Sequence, residues 1–451
     1  MSCDVTTATA NDSAVLVPRL DRDWERLVQP ERVHRDVYTD REIFDCEMQR
    51  VFGGTWTYLA HESEIPQPDD FRSAQLGLRP VILVRDGEGR VHALFNRCMH
   101  RGATVCRVDS GSARHFQCPY HGWTYRNDGK LIGVSLAKGY GPDFDRSRYD
   151  LRRVPFVESY RGFLFGTLNP DAPPLVEFLA GARELIDQWL DRYPDRNVIV
   201  RSRGHRMVYR GNWKLAYDNA IDGYHPPFSH RSLLQMAAAR ASDADEGRDM
   251  QWWSGDVDAS PMYVQALGNG HTFGDQRPAV FPSYWGQQRP QPGRESYEAA
   301  LRARLGDGRA EPLLEIAVGS QMNLNVFPNL LLIGNQIQVI EPLAPDRTQL
   351  TWYATTISGV PDEVNVLRMR SQEDFPAFGE PDDQANFEEC QRGLAIPEIE
   401  WVDFRRHATT GLERRDARGV VTGPVTDELG MRHYFQEWKR LMTAPLRAVV
   451  R

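Results

Sequence analysis

Two short pairs of metal-binding residue types stand out. Cys98-Met99-His100 is followed by seventeen residues and then by Cys118-Pro119-Tyr120-His121, a C-x-H…C-x-x-H arrangement. Thiolate and neutral imidazole are ligands of zinc and of iron–sulfur clusters, so the spacing points to a metal site on two loops. A structural zinc ion would take all four donors in one tetrahedron, although zinc loops usually open C-x-x-C rather than C-x-H. The alternative is a [2Fe–2S] cluster with two thiolates on one iron and two imidazoles on the other. Each pair supplies one Cys and one His, which suits a cluster gripped from both sides. Two neutral rings in place of thiolates would raise its reduction potential.

A second constellation lies in residues 212–230, NWKLAYDNAIDGYHPPFSH. On one helix, Trp213, Tyr217, Ala220 and Tyr224 share a face, and Lys214, Asp218, Asp222 and His225 share the opposite one. The plain reading is an amphipathic helix with a solvated polar face. Against it, Asp218 and Asp222 at i, i+4 repel, and Pro226-Pro227 stop the helix after His225. The chain can then bring His230 beside His225. Two His with one carboxylate make a facial triad for non-haem Fe(II), with open positions for O2 and substrate. Candidate carboxylates lie in Phe378–Glu388, where Pro381-Asp382 marks a helix start, so that one Asp can cap while its neighbour points elsewhere. On a helix Asp222 and His225 also touch, which makes the Asp222 carboxylate the expected acceptor of the second ring N–H of His225.

Elements that could position these residues are visible in the hydrophobic pattern. An amphipathic helix is expected from Tyr38 to Trp56, capped by Thr39 or Asp40, with Ile43, Phe44, Met48 and Val51 as its apolar stripe. From Trp56 to Tyr160 short strands alternate with turns. Val81–Val84, Asp86-Gly87 and Val91–Phe95 read as a hairpin, as do Trp123–Tyr125, Asn127-Asp128-Gly129 and Leu131-Ile132. Leu175–Leu190 reads as helix and Val198–Tyr209 as strand. Residues 241–310 look irregular, with Trp252, Trp253, Tyr263 and Trp285 in an access or binding loop. Met322–Phe327 and Leu330–Ile340 read as paired strands, followed by Gln349–Thr356. A terminal helix carries Met431, Tyr434, Phe435, Trp438, Leu441 and Met442 on one face.

The 451 residues suit two or three domains. Lys+Arg 54 against Asp+Glu 62 leaves a charge of −8, with no basic stripe, so no nucleic-acid partner is expected. No apolar run spans a bilayer, and the polar leader MSCDVTTATANDSAVLVPRL lacks a signal-peptide pattern, so a cytoplasmic protein is expected. Six irregularly spaced cysteines suit ligation better than disulfides.

Cys98-Met99-His100-Arg101-Gly102 and Cys118-Pro119-Tyr120-His121-Gly122-Trp123 resemble the Rieske motif of aromatic-ring-hydroxylating oxygenases, large (α) subunit. Asp218, Asp222, His225 and His230 resemble the mononuclear-iron motif of the same family, in which many members carry Glu at the Asp218 position. The segment before Cys390–Leu394 resembles the one that gives the third ligand. The similarity runs from Ile43–Glu62 to the terminal helix and is nearest to the benzoate, toluate, anthranilate and terephthalate group. It implies an α+β architecture: an all-β Rieske domain (residues 55–165) inserted in a helix-grip catalytic domain (166–451), after a leader and helix (1–54). It further implies that Cys98 and Cys118 bind one iron of a [2Fe–2S] cluster and His100 and His121 the other. Cys106 matches no ligand position and reads as a small buried residue. The mononuclear Fe(II) falls to His225, His230 and Asp383, with Asp382 the alternative. Asp222 would be a catalytic connector, bridging to a neighbouring subunit's residue at the position of His121.

The implied reaction is O2-dependent dihydroxylation of an aromatic ring in aromatic hydrocarbon catabolism, the substrate being an aromatic carboxylate. A monooxygenase or demethylase with the same metals is the alternative. Electrons would come from NADH through a separate reductase, with or without a ferredoxin, since no G-x-G-x-x-G motif is present. A homotrimer or an α3β3 assembly with a small β subunit is implied. A simple Rieske electron carrier would need only the first site. Arg392 follows the third-ligand segment and could fork a carboxylate, although an exposed helical role suits it better.

Overall fold

The computed structural model describes residues 14–17, 19–200, 203–232, 234–235, 257–279, 294–316 and 322–449. The chain forms two compact units, one from Met1–Arg19, Cys46–Leu175 and Ala444–Arg451, the other from Leu20–Asp45 and Val176–Thr443. The first therefore interrupts the second in sequence. The helix Arg41–Arg50 runs across one junction. Asp40 Oδ1 accepts the N–H groups of Glu42 (2.7 Å) and Ile43 (3.0 Å) and is its cap. Ile43, Phe44, Met48 and Val51 are buried as their spacing requires. The helix stops short of Trp56 because Gly53 and Gly54 follow, and glycine is a weak helix former.

The first unit is built of small antiparallel sheets. One runs Val91–Phe95, Arg79–Arg85, Asp70–Leu76, Ser110–Ser112, and another Leu131–Gly133, Thr124–Arg126, His115–Gln117. Both expected hairpins form, with Val84 opposite His92 and Leu131 opposite Tyr125. Phe71, Ile82, Val84, Leu94, Phe116, Trp123 and Tyr125 close a core that also takes in Cys98, Cys106 and Cys118. Two loops leave this core side by side, one after Val91–Phe95 and one after His115–Gln117.

The second unit carries a nine-stranded antiparallel sheet in the order His205–Tyr209, Arg347–Tyr353, Gln336–Ala344, Leu330–Ile333, Met322–Val326, His271–Asp275, Tyr263–Gly268, Val421–Pro424, Arg414–Arg415. The helix Leu429–Thr443 packs on the Tyr263 and His271 strands, burying Met431, Tyr434, Phe435, Trp438 and Met442. Three expectations are corrected. Leu330–Ile340 is two strands folded back at Gly334-Asn335, where Gly334 takes φ +62°; a two-residue Gly-Asn turn explains the break. The helix expected over Leu175–Leu190 divides into Leu175–Phe178 and Ala182–Asp191 around Ala180 at φ +44°. Within 241–310, Tyr263–Gly268 pairs with His271–Asp275, and Arg294–Leu305 is helical. The glycines there serve a hairpin, Gly268-Asn269-Gly270, with all three residues at positive φ. Tyr263 is a strand residue; Trp252, Trp253 and Trp285 lie outside the described residues. No helix among the described residues is long and apolar enough to cross a membrane.

Candidate metal centres

The two loops of the first unit share one hydrogen-bond scheme. Cys98 N–H donates to Ala103 O (2.8 Å) and Gly102 N–H to Cys98 O (3.0 Å); Cys118 N–H donates to Trp123 O (2.8 Å) and Gly122 N–H to Cys118 O (3.0 Å). Gly102 and Gly122 take φ +79° and +69°, the left-handed conformation a side chain resists. Each loop thus projects its Cys and His from a matched turn. Asn96 ties the first loop down, donating to Cys106 O (2.7 Å) and accepting from Val105 and Cys106 N–H. Cys106 is buried, with Sγ 3.5 Å from Val108 O.

Cys98 and Cys118 are buried, while the rings of His100 and His121 approach to 4.7 Å between centroids. Trp123 stacks on His100 at 4.8 Å and 7°. The Nδ1 atoms of His100 and His121 are both shielded from solvent without a hydrogen-bond partner, a costly state that a metal would relieve. Ligands of a single zinc lie within about 4.6 Å of one another, twice the Zn–S bond length. Among the described residues only His225, His230 and Asp383 bring three donor atoms within 4.8 Å. The Cys/His loops therefore suit a two-iron cluster better than one tetrahedral ion. Burial pushes the Cys98 thiol upward, opposed by hydrogen bonds from Tyr125 and the His100 N–H. Tyr125 escaped the sequence reading. Its hydroxyl lies 3.2 Å from Cys98 Sγ and accepts Met99 N–H at 3.1 Å. Burial, followed by Cys98, holds this phenol far above its ordinary range.

In the second unit the helix carrying the other motif is short, Trp213–Asn219, with Asn212 as its cap. Asp222 and His225 fall beyond it, correcting the single helix expected through His225. Pro226 and Pro227 begin a new helical turn, Pro226–Ser229, instead of merely ending an old one. The polar face is not solvated either. Lys214 is fully buried, with Nζ 4.8 Å from the Trp213 ring centroid. Asp218 accepts the hydroxyls of Tyr38 (2.8 Å) and Tyr434. Burial pushes Asp218 up to about 7, with both hydroxyls and Lys214 opposing and Asp222 adding to the rise.

Asp383 Oδ1 lies 3.6 Å from His225 Nε2 and 3.2 Å from His230 Nε2. It is buried without a hydrogen-bond donor. His225 Nδ1–H donates to the Asp222 carbonyl at 2.8 Å. The Asp222 carboxylate, expected in that role, is 3.7 Å from Nδ1; its Oδ1 accepts the Tyr224 (2.9 Å) and His225 (3.1 Å) N–H groups instead. The turn that replaces the expected helix brings the carbonyl, not the side chain, to the ring. Asp382 faces the outer nitrogen of His230, Oδ2 to Nδ1 3.4 Å. It caps nothing, because Gly379 precedes the helix Glu380–Leu394 without a side-chain cap. Asp382 and Asp383 hold His230 above its usual range in spite of burial. Glu380, one turn before Asp383, accepts from Gln338 (3.2 Å) and is pushed up to about 8 by burial and by Asp383. A Cβ on Gly223 would sit 2.2 Å from Val425 O, so only glycine lets the His225 turn pack there. Arg392 is exposed and pairs with Glu388 and Glu389 on its own helix.

The His225-His230-Asp383 group, with His230 and Asp383 buried, and the separate pair of Cys/His loops are two donor sets that could each hold metal. Residues 55–144 match the Rieske [2Fe–2S] domain, and residues 196–444 match the ring-hydroxylating α subunit, catalytic domain. The chain belongs to the ring-hydroxylating dioxygenase α subunits. It is 35% identical over 87% of its length to the 2-halobenzoate 1,2-dioxygenase large subunit of Burkholderia cepacia, covering 84% of that chain. It is 37% identical over 81% of its length to toluate 1,2-dioxygenase subunit alpha of Pseudomonas putida, covering 79% of it. A solved naphthalene 1,2-dioxygenase from Rhodococcus sp. bound to indole superposes with a TM-score of 0.74 at 28% identity, covering 91% of this chain and 94% of that one. A relative named as an N-demethylase, from Sphingobium sp., aligns over only 48% of this chain, so the demethylase reading is not favoured. The protein is the terminal oxygenase component of such a dioxygenase, carries a Rieske cluster and non-haem iron, and receives electrons from a reductase.

Proposed function

We propose that the chain dihydroxylates the ring of an aromatic carboxylate, with Cys98, His100, Cys118 and His121 holding the cluster and His225, His230 and Asp383 holding mononuclear Fe(II). The observation that carries the iron assignment is the buried, donor-free Asp383 Oδ1 facing both Nε2 atoms. The substrate class is supported by relatives named for halobenzoate, toluate and anthranilate. When bound, the cluster supplies single electrons and the ferrous ion supplies O2 activation. The remaining roles belong to side chains and backbone. The Asp222 carbonyl fixes the His225 tautomer with Nδ1 protonated, leaving the Nε2 lone pair directed toward Asp383. Asp382 does the same for His230. The Asp222 carboxylate keeps Oδ2 clear of hydrogen bonds from the described residues, which supports its role as a connector to a cluster-binding histidine of a neighbouring copy. A homotrimer, alone or with a small β subunit, provides that neighbour. The cytoplasm, with its NADH pool, is the compartment that suits a reductase-fed oxygenase.

Single-turnover assays of the reduced, iron-loaded enzyme against benzoate, substituted benzoates, toluene and naphthalene test this reading. A cis-diol from the acids supports it. Diols from the neutral hydrocarbons alone refute the carboxylate assignment.

A further inference from the structure

The nine-stranded sheet turns one group of side-chain amides toward the segments that carry the mononuclear-site donors. Asn323 and Asn325 alternate with apolar residues along Met322–Val326. The register sets Asn325 in line with Leu331 and Gln338, and Asn323 in line with Ile333 and Gln336. All four amides therefore lie on one face. Three of them tie down what covers it. Asn325 Nδ2 donates to Tyr217 O (3.3 Å), Gln336 Nε2 to Gln372 O, and Gln338 Nε2 to Glu380 Oε2 (3.2 Å). Tyr217 belongs to the helix that leads into Asp222 and His225, and Glu380 stands one turn before Asp383.

Asn323 ties down nothing. Its side chain is half-buried and makes no hydrogen bond with the described residues, yet it is not shielded from solvent, so a ligand can touch it. On the next strand its partner is Gly274. A Cβ there would stand 3.8 Å from Asn323 Cβ and 3.8 Å from Ile221 Cδ1, ordinary contact distances. The glycine thus leaves a hollow between the strand and the motif segment. Ile221 immediately precedes Asp222, whose carbonyl holds the His225 ring. The walls are Ile221, Ile333 and bare backbone, with one amide at the edge. Apolar walls with a single orienting polar group are what a small aromatic ligand requires. Asp275, next along the strand from Gly274, points to the opposite face and is held by Arg277 and Tyr263.

We propose that this hollow receives the substrate ring and that Asn323 Nδ2 donates to the carboxylate of the aromatic acid, making Asn323 a specificity-determining residue. The assignment rests on the carboxylate reading above. Equilibrium dialysis of the full-length oxidised holoenzyme with radiolabelled benzoate, and separately with radiolabelled nitrobenzene, its uncharged isostere, is the test. Asn323→Leu keeps the size but removes the donor, and should weaken benzoate about tenfold, the effect of one hydrogen bond to a charged group. Asn323→Asp puts a like charge at the same place and should weaken benzoate further. Nitrobenzene binding should change far less in both, and Gly274→Val, which fills the hollow, should weaken both ligands. Unchanged iron content and cluster spectrum show that each variant is folded; if Asn323→Leu is not, Asn323→Asp carries the comparison. Equal benzoate binding by wild type and the Asn323 variants overturns this assignment alone. Equal loss of benzoate and nitrobenzene in the Asn323 variants also overturns it, since Asn323 would then only shape the wall. A wild type that binds no benzoate overturns the carboxylate reading and this assignment with it.

Discussion

Removing one oxygen from Tyr125 should shift the potential of the Rieske cluster while leaving the cluster in place. The Tyr125 hydroxyl is fully buried, 3.2 Å from Cys98 Sγ, and accepts the Met99 N–H at 3.1 Å. With its acceptor lone pair used by Met99, its proton is free to point at sulfur. A donor to a thiolate ligand stabilises the reduced cluster more than the oxidised one, because reduction adds negative charge. A hydrogen bond to a charged group contributes ~1.5–3 kcal/mol in total. If roughly half of that distinguishes the two redox states, Tyr125→Phe loses about 1 kcal/mol from the reduced form. At 59 mV per 1.4 kcal/mol for one electron, the midpoint falls by about 40 mV. The variant also strands the Met99 N–H, costing about 1–3 kcal/mol of stability, which a melting curve would show separately. A redox titration followed by visible circular dichroism measures the midpoint. A visible spectrum of wild-type intensity with a potential unchanged or raised would refute the reasoning, since the hydroxyl would then not be a donor to the cluster.

His225→Ala, His230→Ala and Asp383→Ala should each lose roughly a third of the bound iron while keeping the Rieske spectrum, by metal analysis and absorption. Retention of iron by Asp383→Ala with loss in Asp382→Ala would move the ligand by one residue. Asp222→Asn preserves an acceptor for the Tyr224 and His225 N–H groups and the carbonyl that holds the ring. It should therefore keep its mononuclear iron, yet cluster reoxidation by O2 with substrate present should slow by at least about tenfold, or ~1.4 kcal/mol of barrier; reoxidation at the wild-type rate would show that electrons take another path. Asp218, at about 7 in the fold against an ordinary 3.8, holds its proton when the unfolded chain has released it. Stability should therefore fall as pH rises from about 4 to about 7, and Asp218→Asn should flatten that slope in melting curves.

The Cys/His pairs and the His225–His230 pair stood out because such residue types recur there at short spacing, whereas Asp383 was singled out only through the family resemblance. The turn residues Asp86-Gly87 and Asn127-Asp128-Gly129 announce their hairpins. What was illegible depended on the chain leaving a periodic pattern. The helical face drawn through Asp222 and His225 ended at Asn219, and that break exchanged a carboxylate for a carbonyl at the His225 ring. Lys214 and Asp218 looked like a wet face because their aromatic and phenolic partners, Trp438, Tyr38 and Tyr434, come from both distant ends of the second unit. Tyr125 had a weaker signal: it sits in a strand opposite Phe116, two residues past Trp123, and only the register turns its hydroxyl toward Cys98.

The two iron sites differ in how far along the chain their parts are gathered. The cluster loops lie within Cys98–His121 and close on neighbouring hairpins, whereas His230 meets Asp382 across 152 residues. Closing so long a loop is entropically slow, and it rewards nothing until the helix Glu380–Leu394 has been made and docked. During synthesis the two Cys/His loops therefore leave the ribosome long before the helix that carries Asp383.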